Sequence, residues 1–195
     1  EAPVRERRNN LKKILIAALS LLSVAATGES AMAARTYADY PVYANDGKPD
    51  LTIDEKRFIS QMSIIDREFS ATGCEVLEGA VGGSGIRRIL RFDSVIINGG
   101  NGDLVVGSRS DPDNPYQDYF YYALCHGHYH IRDFSVHELL TPDGFLVVAG
   151  YKQGFCFEDS FKYDGEKSGG YNCENQGITS GWGDWYYKQL GGQWI

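Results

Sequence analysis

Three of the chain's four histidines, His126, His128 and His130, alternate along one strand-like segment. Side chains at i, i+2 and i+4 of a strand share a face, so the three imidazoles converge on one side. A straight strand would hold the outer two Cα atoms about 13 Å apart, whereas an imidazole plus a metal bond reaches on the order of 6 Å from its own Cα. The segment must therefore curl, and Gly127, between the first two histidines, is the place for a bend or bulge. Three neutral imidazoles suit copper, zinc, nickel or iron, and Cu(II) binds most tightly among the divalent ions. The imidazole count alone does not choose the metal. A polar strand face with incidental histidines is the plain alternative, and strict alternation of three histidines out of four weighs against it. His137 stands apart and reads as an ordinary surface or hydrogen-bonded histidine.

The elements that must position these side chains read as mostly β. Gly 23, Tyr 13 and Phe 9 in 195 residues favour turns and aromatic strands over a helical bundle. Residues 119–130 are aromatic and alternating, residues 145–149 are a second strand after the turn at 141–144, and residues 154–157 are a third. Residues 86–92 form another strand, led by a turn at Gly79, Gly82, Gly83 and Gly85. That run is not a phosphate loop, because no Lys-Ser/Thr follows it and strands flank it. Residues 98–103 and 110–118 are loops dense in turn formers, with a short strand at 104–106 between them. Residues 52–69 carry mixed signals: Thr52 with Glu55 resembles a capping box, and Phe58, Met62, Ile65 and Phe69 follow helical spacing. A helix followed by a strand fits equally well. The stretch 177–183 is glycine-punctuated and leads into Asp184, Trp185, Tyr186 and Tyr187.

At 195 residues and 43% hydrophobic, the chain can bury one core but not two. Its N-terminus has a basic stretch (Arg5, Arg7, Arg8, Lys12, Lys13), an apolar run over 14–26, and then Ala31, Met32 and Ala33. That order predicts a secretory signal peptide over 1–33 cleaved after Ala33, because the apolar run is shorter than the roughly 18–20 residues a membrane span needs. Residues 34–49 read as a lead-in to a single domain over 50–195, and a secreted or periplasmic location follows. Removing 1–33 takes away five of 19 Lys/Arg and three of 26 Asp/Glu, leaving a net charge of −9. Such a field repels nucleic acid and mildly attracts cationic molecules such as amines. All four cysteines (Cys74, Cys125, Cys156, Cys173) lie in the exported part, an even number in an oxidising compartment. Two disulfides are expected, and three pairings are open.

Beyond the histidines, three segments carry a likeness to a known family. CHGHYHIRDFSVHELL (125–140) resembles the copper-binding segment of lysyl oxidases. VVAGYKQGFCFED (147–159) is similar to the segment holding that family's cofactor lysine, which matches Lys152. NQGITSGWGDWYYKQLGGQWI (175–195) is similar to the segment holding its cofactor tyrosine, which matches Tyr186 and not Tyr187. Weaker likeness begins at Pro49-Asp50-Leu51 and includes LRFD at 90–93. The resemblance implies a compact, loop-rich β-sandwich catalytic domain with copper on His126, His128 and His130. It also implies a lysine tyrosylquinone, LTQ, made from Lys152 and Tyr186. The implied activity is that of a copper amine oxidase, an oxidoreductase that uses O2 to turn primary amines or lysine-containing proteins into aldehydes, with ammonia and hydrogen peroxide released. The short signal-plus-domain layout resembles microbial members.

The same likeness implies pairing of Cys74 with Cys125 and of Cys156 with Cys173, while Ala80 and Gly192 stand where another family bridge would be. The family domain continues past the Gln-Trp-Ile matched by 193–195, so a C-terminally truncated domain is expected. Calcium is an implied second ion beside Asp50 and Leu51. A general base is required, and Asp184 is a candidate. Two rival readings use the histidines alone: an exported zinc enzyme with an open site for activated water, and a non-enzymatic copper-binding protein.

Overall fold

The computed structural model describes residues 47–151, 154–164 and 166–195. The expected signal peptide, most of the lead-in and Lys152 lie outside the described residues. Twelve strands occur among them, with two short α-helices, so the mostly β expectation is met. The strands make one four-stranded sheet and four two-stranded ones.

The four-stranded sheet is built on β4 (Ser94–Asn98), whose five residues are all buried. Val95, Ile96 and Ile97 form an unbroken apolar run, the pattern of a strand covered on both faces. β4 pairs antiparallel with β1 (Leu51–Ile53) on one side and β12 (Trp182–Tyr186) on the other. The edge beyond β12 is β10 (Phe161–Lys162). Ile96, Phe120, Ile131, Phe155, Phe157, Ile178 and Tyr186 form the main buried cluster.

The mixed signals over 52–69 resolve as strand, helix, strand. Thr52 lies in β1, so it is no helix cap; the helix α1 (Glu55–Ser60) is capped instead by Asp54, whose carboxylate accepts from the Arg57 N–H at 3.0 Å. Met62 leads into β2 (Ser63–Phe69), where exposure alternates along the strand. β2 pairs over seven residues with β3 (Gly85–Arg91). A second cluster, Phe69, Val81, Ile89 and Trp194, lies against this hairpin. The last residues of the chain join it: Ile195 exchanges backbone hydrogen bonds with Leu90, and the Trp194 indole donates to the Ala80 carbonyl at 2.8 Å. Between these strands, α2 (Cys74–Leu77) is a single turn of helix.

The segment 119–130 is not one strand. It is a hairpin of β6 (Phe120–Ala123) and β7 (His128–Ile131), with Ala123 opposite His128. The turn comes at 124–127, and Gly127 takes φ 73°, a left-handed conformation that costs glycine nothing. The aromatic alternation that marked a single strand belongs to the cross-strand pair Tyr122–Tyr129, with ring centroids 5.5 Å apart.

β5 (Leu104–Gly107) pairs with β11 (Gln176–Ile178), and β8 (Glu138–Leu140) with β9 (Leu146–Ala149). Residues 154–157 contribute a single bridge, Phe155 to Ile131, in place of the expected strand. No helix among the described residues is long and apolar enough to cross a membrane.

Candidate active site

The hairpin turn brings the three histidines together. His128 and His130 project from one face of β7, and the bend at Gly127 swings His126 back over them. Their ring centroids lie 4.9 to 5.8 Å apart, and one ligating nitrogen from each falls within 4.8 Å of the others. His128 Nε2 and His130 Nε2 are 3.0 Å apart. Nitrogens bound to one metal at about 2.0–2.1 Å lie roughly 3 Å from each other, so this spacing fits ligands of a single ion. The curl required by alternating ligands is thus a turn between strands.

His130 is buried, and its Nδ1 lies 3.4 Å from the Tyr121 hydroxyl on the facing strand. With Nε2 turned to a metal, Nδ1–H donates to that phenol oxygen and fixes the ring. Burial raises the Tyr121 phenol above its ordinary range, so it stays protonated at neutral pH.

Gln176 braces β7. This fully buried side chain donates from Nε2 to the carbonyl of Tyr129, the residue between His128 and His130, at 2.6 Å, and accepts from the Phe157 N–H at 3.2 Å. Nothing in its local sequence distinguishes Gln176 from a surface glutamine. Cys156 and Cys173 are joined, with Cα atoms 5.3 Å apart, and sulfurs of that bridge come within 4.8 Å of a ring nitrogen of His128. Cys74 and Cys125 form the other bridge, Cα atoms 5.2 Å apart, and anchor the residue before His126 to α2. Of the three pairings, this is the one the resemblance implied.

Tyr186 sits at the end of β12, opposite Ser94, inside the main core. Its ring packs edge-on against Phe155 at 4.6 Å, and its hydroxyl donates to the Cys156 carbonyl. Phe155 is itself bound through both backbone groups to Ile131, one residue past His130, at 2.7 and 3.1 Å. The tyrosine is therefore linked to the histidine-bearing β7 through one residue. Asp184, two residues earlier, shares its face of β12 and is buried, 1% exposed. It accepts from Ser160 Oγ at 3.2 Å and from the Glu158 N–H at 3.3 Å, and also lies in hydrogen-bonding reach of the Tyr186 hydroxyl. Burial outweighs these donors and pushes Asp184 up to about 7. Burial, with the Asp184 charge added, raises the Tyr186 phenol well above its ordinary value.

Lys152 lies outside the described residues, so its distance from Tyr186 is not part of this geometry. His137 is no ligand here: its ring packs on Phe92 at 4.9 Å. Asp50 leads into β1, and its N–H donates to Asn98 Oδ1 at 3.0 Å.

The site is thus a mostly β domain with three convergent imidazoles that could hold a metal ion, linked through Phe155 to a buried tyrosine. Comparison with known proteins gives the family. The lysyl oxidase family model matches residues 54–195. Mouse lysyl oxidase homolog 2 is 31% identical over 166 residues, covering 79% of this chain and 20% of that protein. Human lysyl oxidase homolog 3 is 39% identical over 117 residues, 57% of this chain and 14% of that protein. Zebrafish lysyl oxidase homolog 2A is 33% identical over 165 residues, 79% and 21%. The chain belongs to the lysyl oxidase family, and its matches span 14% to 21% of the length of these relatives.

Proposed function

We propose that this chain oxidatively deaminates primary amines, either small amines or lysine side chains of proteins, to aldehydes, consuming O2 and releasing ammonia and hydrogen peroxide. His126, His128 and His130 would hold copper, and Lys152 and Tyr186 would form a lysine tyrosylquinone. The observation that carries this reading is the convergence of three imidazole nitrogens on β7 and its turn, backbone-linked through Phe155 to the ring of Tyr186.

Copper supplies the chemistry with O2 that oxidises a tyrosine ring, and the quinone supplies the electron sink for amine oxidation. The protein supplies position and charge. Tyr121 orients His130, and Gln176 holds the strand between His128 and His130. The buried cluster that includes Phe155, Phe157 and Ile131 encloses Tyr186 and keeps it from water. Asp184 holds or releases a proton at its carboxyl near neutral pH beside that ring, the behaviour expected of a general base. Two disulfides suit an oxidising compartment, in keeping with export directed by residues 1–33 to a secreted or periplasmic location.

The test is copper-loaded protein assayed by metal analysis, visible absorbance, phenylhydrazine reactivity and peroxide release. The expected result is one copper per chain with a carbonyl-reactive chromophore that Lys152→Ala and Tyr186→Phe each abolish without displacing the copper. Zinc alone at the histidines, or copper-loaded protein with no chromophore and no peroxide from any primary amine, would overturn it.

A further inference from the structure

Both sulfurs of the Cys156–Cys173 bridge fall within 4.8 Å of a ring nitrogen of His128. One imidazole therefore belongs to two sets of ligating side chains, the three histidines on one hand and this cysteine pair on the other. Glu158 adds an oxygen, its Oε2 lying 3.9 Å from the Cys173 sulfur. Opened to thiols, the bridge would join two sulfurs to a nitrogen and an oxygen already in place, four donors of the kinds that close a tetrahedral zinc site. The other bridge lacks this arrangement. Among the described residues its set holds Glu75 and no imidazole, and that carboxylate is paired with Arg67 at 2.6 Å.

Neither cysteine depends on the bridge for its position. Cys156 stands between Phe155, bound through both backbone groups to Ile131, and Phe157, whose N–H donates to Gln176 Oε1 at 3.2 Å and whose carbonyl accepts from the Gly177 N–H at 3.1 Å. Its own carbonyl accepts from the Tyr186 hydroxyl. Cys173 sits in a turn closed by Asn172, whose Oδ1 accepts from the N–H groups of Glu174 and Asn175 at 2.9 and 3.0 Å. The two Cα atoms are 5.3 Å apart. Two thiolates on one zinc at about 2.3 Å lie about 3.8 Å from each other, which side-chain rotation reaches from that backbone. Cys156 is buried and Cys173 half-buried, so a small thiol meets Cys173 first.

We propose that reduction of the Cys156–Cys173 bridge creates a second metal site, made of both thiolates, His128 and Glu158, that takes zinc. A dithiol opens it: one thiolate attacks the Cys173 sulfur, the S–S bond breaks, and Cys156 leaves as a thiolate. The second displaces Cys173 as a thiolate, and the reductant departs as a cyclic disulfide. Two electrons pass to the cysteine sulfurs, and the two protons of the dithiol go to solvent as zinc takes both thiolates. Thiolate sulfur selects zinc, whereas imidazole alone suits copper equally. Closing the bridge removes the site and leaves His128 to the other histidines. A chain entering an oxidising compartment carries thiols until its bridges close, so the pair must be joined before His128 is committed to copper. The thiolate site stands without the oxidase reading; only this order of loading rests on it.

The test uses cobalt(II) as the probe on the full, metal-free chain, oxidised or reduced with a dithiol that is then removed. A thiolate-to-cobalt charge-transfer band in the near ultraviolet reports sulfur ligation, which three imidazoles cannot give. The reduced chain is expected to show the band and the oxidised chain to lack it; zinc should erase it, and so should rejoining the pair with oxidised glutathione. Cys156→Ser/Cys173→Ser should remove it. His128→Asn should weaken reduced-state binding by at least about tenfold, the loss that even an outer partner of a ligand brings, while His126→Asn leaves the band unchanged. No band in the reduced wild type, or a band that the double serine variant retains, overturns the site. So does equal weakening by the two histidine variants, the result for thiols of a reduced chain that has unfolded. The oxidase reading is judged separately, by the chromophore of the oxidised, copper-loaded chain, so either can fail alone.

Discussion

Asp184 is a carboxyl group buried to 1% exposure and pushed from 3.8 up to about 7, and this has a measurable thermodynamic consequence. Its folded-state pKa lies above its unfolded value, so the folded protein binds the proton more tightly. The stabilisation this gives is fully present below about pH 4 and is lost as pH rises through about 7. A displacement of roughly three units corresponds to roughly 4 kcal/mol across that window, or about 1.4 kcal/mol per pH unit. Asp184→Asn removes the titration. The amide cannot accept from both Ser160 Oγ and the Glu158 N–H as the carboxylate does, which costs about 1–3 kcal/mol independent of pH. The assay is urea unfolding of disulfide-intact, metal-free wild type and variant at half-unit steps from pH 4.5 to 8. All other titrating groups cancel in the difference. The wild type should lose about 1.4 kcal/mol per unit relative to the variant up to about pH 7 and run parallel above about pH 8. The variant should also lose the rising limb near pH 7 in amine oxidation. Stability curves that stay parallel over the whole range would refute the buried, proton-holding Asp184.

Replacing Gln176 by leucine leaves the Tyr129 carbonyl and the Phe157 N–H buried without their partner; it should cost about 2–5 kcal/mol in urea unfolding and weaken copper, measured by chelator competition, by at least about tenfold. An unaltered copper affinity would remove Gln176 from the support of the metal strand. Trp194→Ala empties a site packed on Phe69, with ring centroids 5.6 Å apart, and frees the Ala80 carbonyl. It should lower stability by about 3–5 kcal/mol, and a loss below 1 kcal/mol would show that the C-terminal residues are not built into the second cluster.

The parts of this site that could be read from sequence were those with rare chemistry at a short, regular spacing. Alternating histidines required a curl, and Gly127 marked where it came. What escaped was set by partners far along the chain. Residues 119–130 alternate as one strand because β6 and β7 present matching aromatic residues to each other, and a turn that takes only four residues interrupts the pattern too briefly to show. The stretch 177–183, which holds parts of β11 and β12, reads only as glycine-punctuated, since Gly177 and Gly183 carry no side chain to reveal a period. Gly183 instead lies against the backbone of β4, where a Cβ would come within 3.0 Å of the Ile96 carbonyl. Gln176 is polar and fully buried, a combination visible only once Tyr129 and Phe157 are seen on either side of it. These same long-range contacts join the chemistry. The histidine hairpin and β12 are separated by over fifty residues, and what ties them is the Phe155 backbone on Ile131 and the Phe155 ring on Tyr186. A change to that one residue should therefore disturb metal binding and the tyrosine together, which two independently folded sites would not do.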